Sequence, residues 1–382
     1  MNKTADIVII GGGVSGTAIG YFLLKNGAKN VLLLERDFLA AGATGRCGAG
    51  IRQQWGTELN CVLSKFSCDF FENAADELLY SGDIEFHQTG YLLLINNKTE
   101  YDQMKKNVKL QNSLGINSEF LTCEQARGHV PYLNTENLLG ATFYNKDGHL
   151  NPFHTTQAFS DAFERLGGKI MKNVTVTGIK SQGGSVSGVD TSIGHFETKT
   201  LVNAAGGWSQ QIAEMAGVFL PIYSERHNIL VTEPVEPTLG PMVMSFSLNL
   251  YCQQSPHGSF IMGRTDDDQP RDYRQTPYSG FPELMAKTVV DLMPPLGGLR
   301  MLRQWAGMYN MSPDKAPIYS KAPELDGFYT AAGFSGHGFM LAPATGQSMT
   351  ELILGLSPTL PWPKMDVTRF ESGDLLTEPS VV

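Results

Sequence analysis

Three glycines near the N-terminus, Gly11, Gly13 and Gly16, with Gly12, Val14 and Ser15 between them, form the first pattern in this chain able to do chemistry. In the order G-x-G-x-x-G the first glycine permits a tight turn, the second lets the backbone approach a pyrophosphate, and the third lets a helix pack closely on a strand. The N-terminus of the helix that follows then faces the phosphate charge. Nineteen residues after Gly16 stands Glu35, a carboxylate able to accept hydrogen bonds from a ribose diol. Its charge opposes a 2′-phosphate, and Arg36 alone does not reverse this, so the ligand is FAD or NAD rather than NADP.

These residues need a scaffold, and the neighbouring sequence predicts one. Residues 6–10 are a β-branched run suited to a buried parallel strand. Residues 17–25 carry apolar side chains at helical spacing and stop at Asn26-Gly27, and residues 31–34 supply a second strand. Alternation over 87–95, 228–232 and 260–263 predicts an antiparallel sheet, with helices over 98–115 and 282–292 packed on it.

With 382 residues and about 150 per domain, two to three domains are expected. Hydrophobic residues make up 42% and charged residues 18%, and the 41 glycines have no Gly-X-Y period, which argues against disorder and collagen. The net charge of -9, with no dense basic stripe, argues against nucleic acid as a partner. Five cysteines without metal-ligand spacing point to a reducing, metal-free interior. The apolar opening is too short and glycine-rich for a transmembrane segment and lacks the features of a secretory signal, so a cytoplasmic location is expected.

Three further segments resemble the D-amino-acid-oxidase-like flavoprotein family: residues 41–54 (AGATGRCGAGIRQQ), 200–208 (TLVNAAGGW) and 333–340 (GFSGHGFM). They span almost the whole chain in the family's order, and the RCGAGIRQQ and GFSGHGFM stretches are most similar to the β-subunit branch of sarcosine oxidases and dye-linked L-proline dehydrogenases. The resemblance implies an α/β fold with a discontinuous Rossmann-type FAD-binding domain (1–84, 144–218 and 323–364), an α+β substrate domain with an antiparallel sheet (85–143 and 219–322), and a C-terminal tail (365–382). It also implies non-covalent FAD held by the 11–16 loop, Glu35, Arg36, Ala43, Thr44, Arg46, Cys47, Gly48, Val174, Ala205, Gly206, Trp208, Gly307, Gly333, Ser335, Gly336, His337, Gly338, Phe339 and Met340. Glycines 333, 336 and 338 are expected to expose backbone N–H groups at a helix start, where the charge of reduced flavin would be stabilised.

The activity implied is oxidation of a small amino acid (proline, hydroxyproline, sarcosine or glycine type) at its C–N bond, by hydride transfer to flavin N5. The cofactor carries that chemistry, so the protein must bind the carboxylate and favour the neutral amine. Arg52 matches the carboxylate-pairing arginine of sarcosine oxidases, and its planar fork can bind two oxygens; a loop ion pair with Glu58 is the structural alternative. Tyr309 and Tyr251 are candidate substrate contacts, each also readable as a core tyrosine. His337 is read as a hydrogen-bond donor at the flavin edge, whereas His227 and His257 are read as packing. Arg46 lies over the nucleotide, and Cys47 packs through its backbone.

Where this sequence has Gly307, monomeric sarcosine oxidases carry the flavin-linking cysteine. Where it has Tyr309, glycine oxidases carry a carboxylate-binding arginine, and Met340 stands at a carboxylate-binding lysine of sarcosine oxidases. Asn151, with His149 nearby, stands where some relatives tether a second flavin, so no covalent second flavin is expected, although FMN shared with a partner subunit is a second cofactor the branch allows. The leading expectation is therefore the catalytic β subunit of a heteromeric dehydrogenase or oxidase, with an α-type partner subunit or another electron acceptor. The alternatives are a single-chain glycine or sarcosine oxidase making hydrogen peroxide, and a non-catalytic FAD electron-relay subunit.

Overall fold

The computed structural model of the chain describes residues 3–265 and 270–379. Residues 1–2, 266–269 and 380–382 of the expected segments lie outside the described residues. The first apolar run folds as strand Ile7–Ile10, fully buried, inside a six-stranded sheet. The order is Ile318–Lys321, Phe328–Ala332, Thr200–Asn203, Ile7–Ile10, Val31–Leu34, Lys169–Met171. Every pairing is parallel except that of the first two strands. Strands covered on both faces lack alternation, which is why Ile7–Ile10 and Val31–Leu34 at the centre read as continuous aliphatic runs. Helix Val14–Lys25 covers one face together with Ala342–Leu354 and Pro152–Arg165. It begins three residues before the predicted start, with Gly13 as N-cap in extended conformation.

The second sheet has eight strands: Met301–Met311, Tyr223–Pro234, Ser259–Thr265, Leu250–Gln254, Met242–Ser245, Tyr91–Ile95, Gly140–Tyr144 and Glu119–Leu121. All neighbours are antiparallel except Met242–Ser245 beside Tyr91–Ile95. These two strands come from separate excursions of the chain, not from a hairpin, and so are free to run parallel. The strand predicted over 87–95 starts only at Tyr91, because Gly90 (φ +87°) turns the backbone and gives its N–H to the Asp147 carbonyl. Strand Ile318–Lys321, in the stretch expected for this sheet, instead pairs with Phe328–Ala332 of the first. Helices Lys98–Ser113 and Phe281–Leu292 pack on the eight-stranded sheet, the latter against the buried Leu230, Phe260 and Met262. A two-stranded ribbon, Gly50–Ile51 with Gly148–His149, fixes the chain just before Arg52. Among the described residues no helix is long and apolar enough to cross a membrane.

Candidate active site

A cleft opens at the carboxyl ends of the parallel strands, where ligands bind in open α/β sheets. Its floor is the loop Gly11–Gly16. Gly11 has φ +115°, and a Cβ there would lie 2.4 Å from the Ala204 oxygen; at Gly16 it would lie 2.0 Å from the Gly11 oxygen. Only glycine permits this closure. Helix Val14–Lys25 has no side-chain cap and no acid in its first turn, so its positive end faces the cleft. Thr44 Oγ1 accepts from Val14 N–H at 3.2 Å. Glu35 accepts from the Gly12 and Asp37 N–H groups at 2.6 and 2.7 Å, while the Arg36 guanidinium lies 4.2 Å over the Trp208 ring.

Glu35, Arg36, Ala205, Gly206, Trp208 and Val174 line one stretch of the cleft with Gly11, Gly13, Val14 and Ser15. Ala43, Thr44, Arg46, Cys47, Gly307, Tyr309, Gly336, Gly338 and Phe339 line the rest. An uncapped helix N-terminus, a glycine-closed loop and a carboxylate just past strand Val31–Leu34 fit the pyrophosphate and ribose of FAD. Gly12 and Gly16 act behind the lining. Gly333 does too, its turn packing on Ser312 and Ile318.

The 333–338 turn departs from expectation. It does not open the helix, which starts at Ala342, because Ser335 (φ +48°) and Gly336 (φ +93°) are left-handed. Turn amides, not a helix terminus, are what this segment offers a ligand. The left-handed Gly336 lets Tyr309 come close, since a Cβ there would lie 2.6 Å from its ring.

A second cavity, of about 100 Å³, adjoins the cleft and shares Cys47, Tyr309, Gly336 and Phe339 with it. Arg52, Gly48, Tyr251, Ser335, His337 and Met340 also line it, together with Tyr91, Met242 and Met244, which the sequence did not single out. No carboxylate lines it among the described residues. Arg52 is 4% exposed; its guanidinium lies 3.7 Å over the Trp55 ring, and Nη1 donates to the Gln54 carbonyl at 3.0 Å. Trp55 Nε1 donates in turn to the Arg52 carbonyl, and its ring meets His337 edge-on at 5.1 Å. Glu58, the alternative partner, stands exposed in the first turn of helix Glu58–Glu72.

Burial pulls the Arg52 guanidinium below its ordinary value, opposed by Tyr91, Glu378 and Asp147. Asp147 is wholly buried and accepts from Gln53 N–H at 2.8 Å and Gln54 Nε2 at 2.9 Å. Burial pushes its carboxyl up to about 7. With its own carbonyl accepting from Gly90 N–H, it ties the segment after Arg52 to the eight-stranded sheet, and its sequence position gave no signal of this. His337 is pulled down to about 3 by burial, then by Arg52, so its ring is neutral; its Nε2 is buried with no hydrogen-bond partner among the described residues.

His227, read from sequence as packing, is stacked between Tyr309 (4.4 Å) and Tyr251 (5.6 Å) and lines the cleft. Cys47 Sγ donates to the Thr44 carbonyl at 3.0 Å, and burial pushes its thiol up to about 12, which leaves no reactive thiolate. Arg46 donates to the Gly42 carbonyl, and its own carbonyl accepts from Trp305 Nε1. Asn151 caps helix Pro152–Arg165 by accepting from Phe153 and His154 N–H.

A glycine-closed dinucleotide loop, a discontinuous sheet and a long cleft joined to a small cavity define a flavin-type oxidoreductase, and the chain belongs to the FAD dependent oxidoreductase family, whose model matches residues 6–352. It is an FAD-dependent oxidoreductase. The solved structure of L-proline dehydrogenase from P. horikoshii superposes with a TM-score of 0.92 at 36% identity, covering 98% of this chain and 100% of that one. Sarcosine oxidase subunit beta of Arthrobacter sp is 31% identical over 98% of this chain and 93% of its own length. The subunit of the same name from Rhodobacter capsulatus is 30% identical over 98% and 91%.

Proposed function

We propose that this chain oxidises the C–N bond of a small amino acid, a cyclic secondary amine of the proline type above all, as the catalytic subunit of a heteromeric dehydrogenase. The observation that carries this is a buried arginine in a small, otherwise largely apolar cavity that shares four wall residues with the FAD cleft. FAD, when bound, supplies the two-electron acceptor. Arg52 binds the substrate carboxylate through its planar fork, held flat on Trp55. The thioethers of Met242, Met244 and Met340 adapt to an apolar ring. With the Arg52 cation present and no carboxylate in the lining, the cavity disfavours an ammonium and selects the neutral amine, whose lone pair C–N oxidation requires. Tyr309 closes the boundary between cavity and cleft, and the neutral His337 offers Nε2 to the ligand.

Similarity along the full chain to a proline dehydrogenase and to subunits named beta supports both the ring substrate and the partner chain. A pure electron relay is disfavoured, since it has no use for a buried carboxylate clamp. The test is anaerobic mixing of the purified flavoprotein with proline, hydroxyproline, sarcosine and glycine in turn. Proline or hydroxyproline should bleach the oxidised flavin band fastest; no bleaching by any of the four overturns the reading. Turnover with an artificial dye should exceed that with oxygen, and hydrogen peroxide formed as fast as dye is reduced would favour the single-chain oxidase.

A further inference from the structure

The C-terminal tail returns to the active site. Arg369, 4% exposed, holds Asp314 through Nε at 2.8 Å and Nη2 at 2.9 Å, and Asp314 also accepts from Leu376 N–H at 3.0 Å. This anchors the tail to the loop after strand Met301–Met311, where Ser312 N–H donates to Ser335 Oγ in the turn that carries His337. From there the tail reaches the N-terminus of helix Glu58–Glu72. The Glu378 carboxylate accepts from Gly56 N–H at 2.8 Å, Thr57 Oγ1 at 2.7 Å and Asn60 Nδ2 at 2.9 Å. Thr57 is the N-cap of that helix, so Glu378 adds a charge where the helix dipole favours one.

Gly56 directly follows Trp55, the platform under Arg52 and the edge-on neighbour of His337. The tail thus ties together the two turns that present Arg52 and His337. We propose that Glu378 is a positioning residue for substrate carboxylate recognition: by fixing the Gly56 peptide and the Thr57 cap it holds Trp55, and through Trp55 the Arg52 guanidinium, in its binding position. This rests on the reading of Arg52 as the carboxylate clamp. Glu378 is not one of the residues that line the cofactor cleft, so its effect should fall on amino-acid binding and not on flavin retention.

The test uses the FAD holoenzyme and pyrrole-2-carboxylate, a planar proline analogue with no α-hydrogen to transfer, whose binding is read from the visible flavin spectrum. Misplacing a binding group from a distance can cost up to about a hundredfold, so Glu378→Ala should raise Kd for the probe, and KM for the amino acid, by about tenfold. Its kcat should change less than about twofold, with flavin content unchanged and faster amide exchange over residues 52–60. Glu378→Gln, which keeps one acceptor oxygen and the shape, should show a rise of about threefold and decides the matter should the alanine variant shed its flavin. Wild-type Kd in the glutamate variants, with Arg52→Met binding weakly, overturns the positioning role and leaves the clamp standing. Wild-type Kd in Arg52→Met overturns the clamp and this proposal together.

Discussion

Replacing Arg52 by methionine removes the guanidinium and keeps a flexible apolar chain over Trp55. The hydrogen bond from Nη1 to the Gln54 carbonyl at 3.0 Å is lost as well, and a bond with a charged donor is worth about 1.5 to 3 kcal/mol of stability, less than the roughly 5 to 15 kcal/mol by which folded domains are typically stable. The functional loss is larger. Removing one partner of a desolvated, hydrogen-bonded charge pair costs about 2 to 5 kcal/mol, and Arg52 lies in a cavity where it is only 4% exposed. At about 1.4 kcal/mol per decade, kcat/KM for the amino acid should fall by roughly 30-fold to a few thousandfold. Arg52→Lys, which keeps the charge and loses the planar fork, should fall between wild type and methionine. The assay is steady-state dye reduction beside the flavin-to-protein absorbance ratio, which should hardly move because the loop 11–16 and Thr44 are untouched. A methionine variant that loses flavin while its remaining holoenzyme turns over normally refutes the clamp. Arg264, on strand Ser259–Thr265, is then the next arginine to examine.

Gly16→Ala places a Cβ 2.0 Å from the Gly11 oxygen; overpacking of this kind costs about 1–3 kcal/mol, so FAD should bind roughly tenfold to a hundredfold more weakly, and full flavin occupancy after dialysis would contradict the close approach. Because Gly307 has no side chain and the Asn151 amide, spent on capping a helix, is not a group that bonds flavin, acid precipitation should release all flavin, and colour kept in the pellet would disprove it. His337 and His227, depressed from 6.5 to about 3, are neutral in the fold and charged when unfolded in acid, so their stabilising contribution is full above pH 6.5 and lost as pH falls toward 3. Asp147, raised from 3.8 to about 7, has the opposite sign: its contribution is full below pH 3.8 and lost as pH rises through 7. The wild-type Tm should therefore fall relative to that of Asp147→Asn as pH rises through this window, and parallel Tm profiles would show that Asp147 does not titrate there.

The nucleotide half was legible because its signals are local: the loop 11–16, the strand runs and Glu35 all lie within thirty-five residues, and each follows from backbone sterics or charge. The extended run of 87–95 was overestimated because nothing in its alternation shows that Gly90 would take a left-handed φ of +87° to meet Asp147. The same long-range pairing hid Asp147 itself, whose partners Gln53 and Gln54 lie 94 and 93 residues away. His227 illustrates a different limit. On strand Tyr223–Pro234 it looks like any half-buried position, and its neighbours Tyr251 and Tyr309 become visible only once strands from separate hairpins align. The segment 333–340 was recognisable as glycine-rich, but the left-handed Ser335 that delays the helix to Ala342 has no composition signal, since serine there must bear a strain glycine would not.

The order of strands in the first sheet also sets when the cleft can exist. Ile7–Ile10 needs Thr200–Asn203 on one side, and that strand needs Phe328–Ala332 on its other. A ribosome adding about 5–20 residues per second delivers the last of these roughly 15 to 60 s after the first has emerged. The glycine loop has no Ala204 carbonyl to close against until residue 204 arrives, and no 333–338 turn beside it until that segment follows. Closure of the flavin cleft therefore waits for residues 333–338, and the waiting aliphatic strands are the part of the nascent chain most in need of shelter from aggregation.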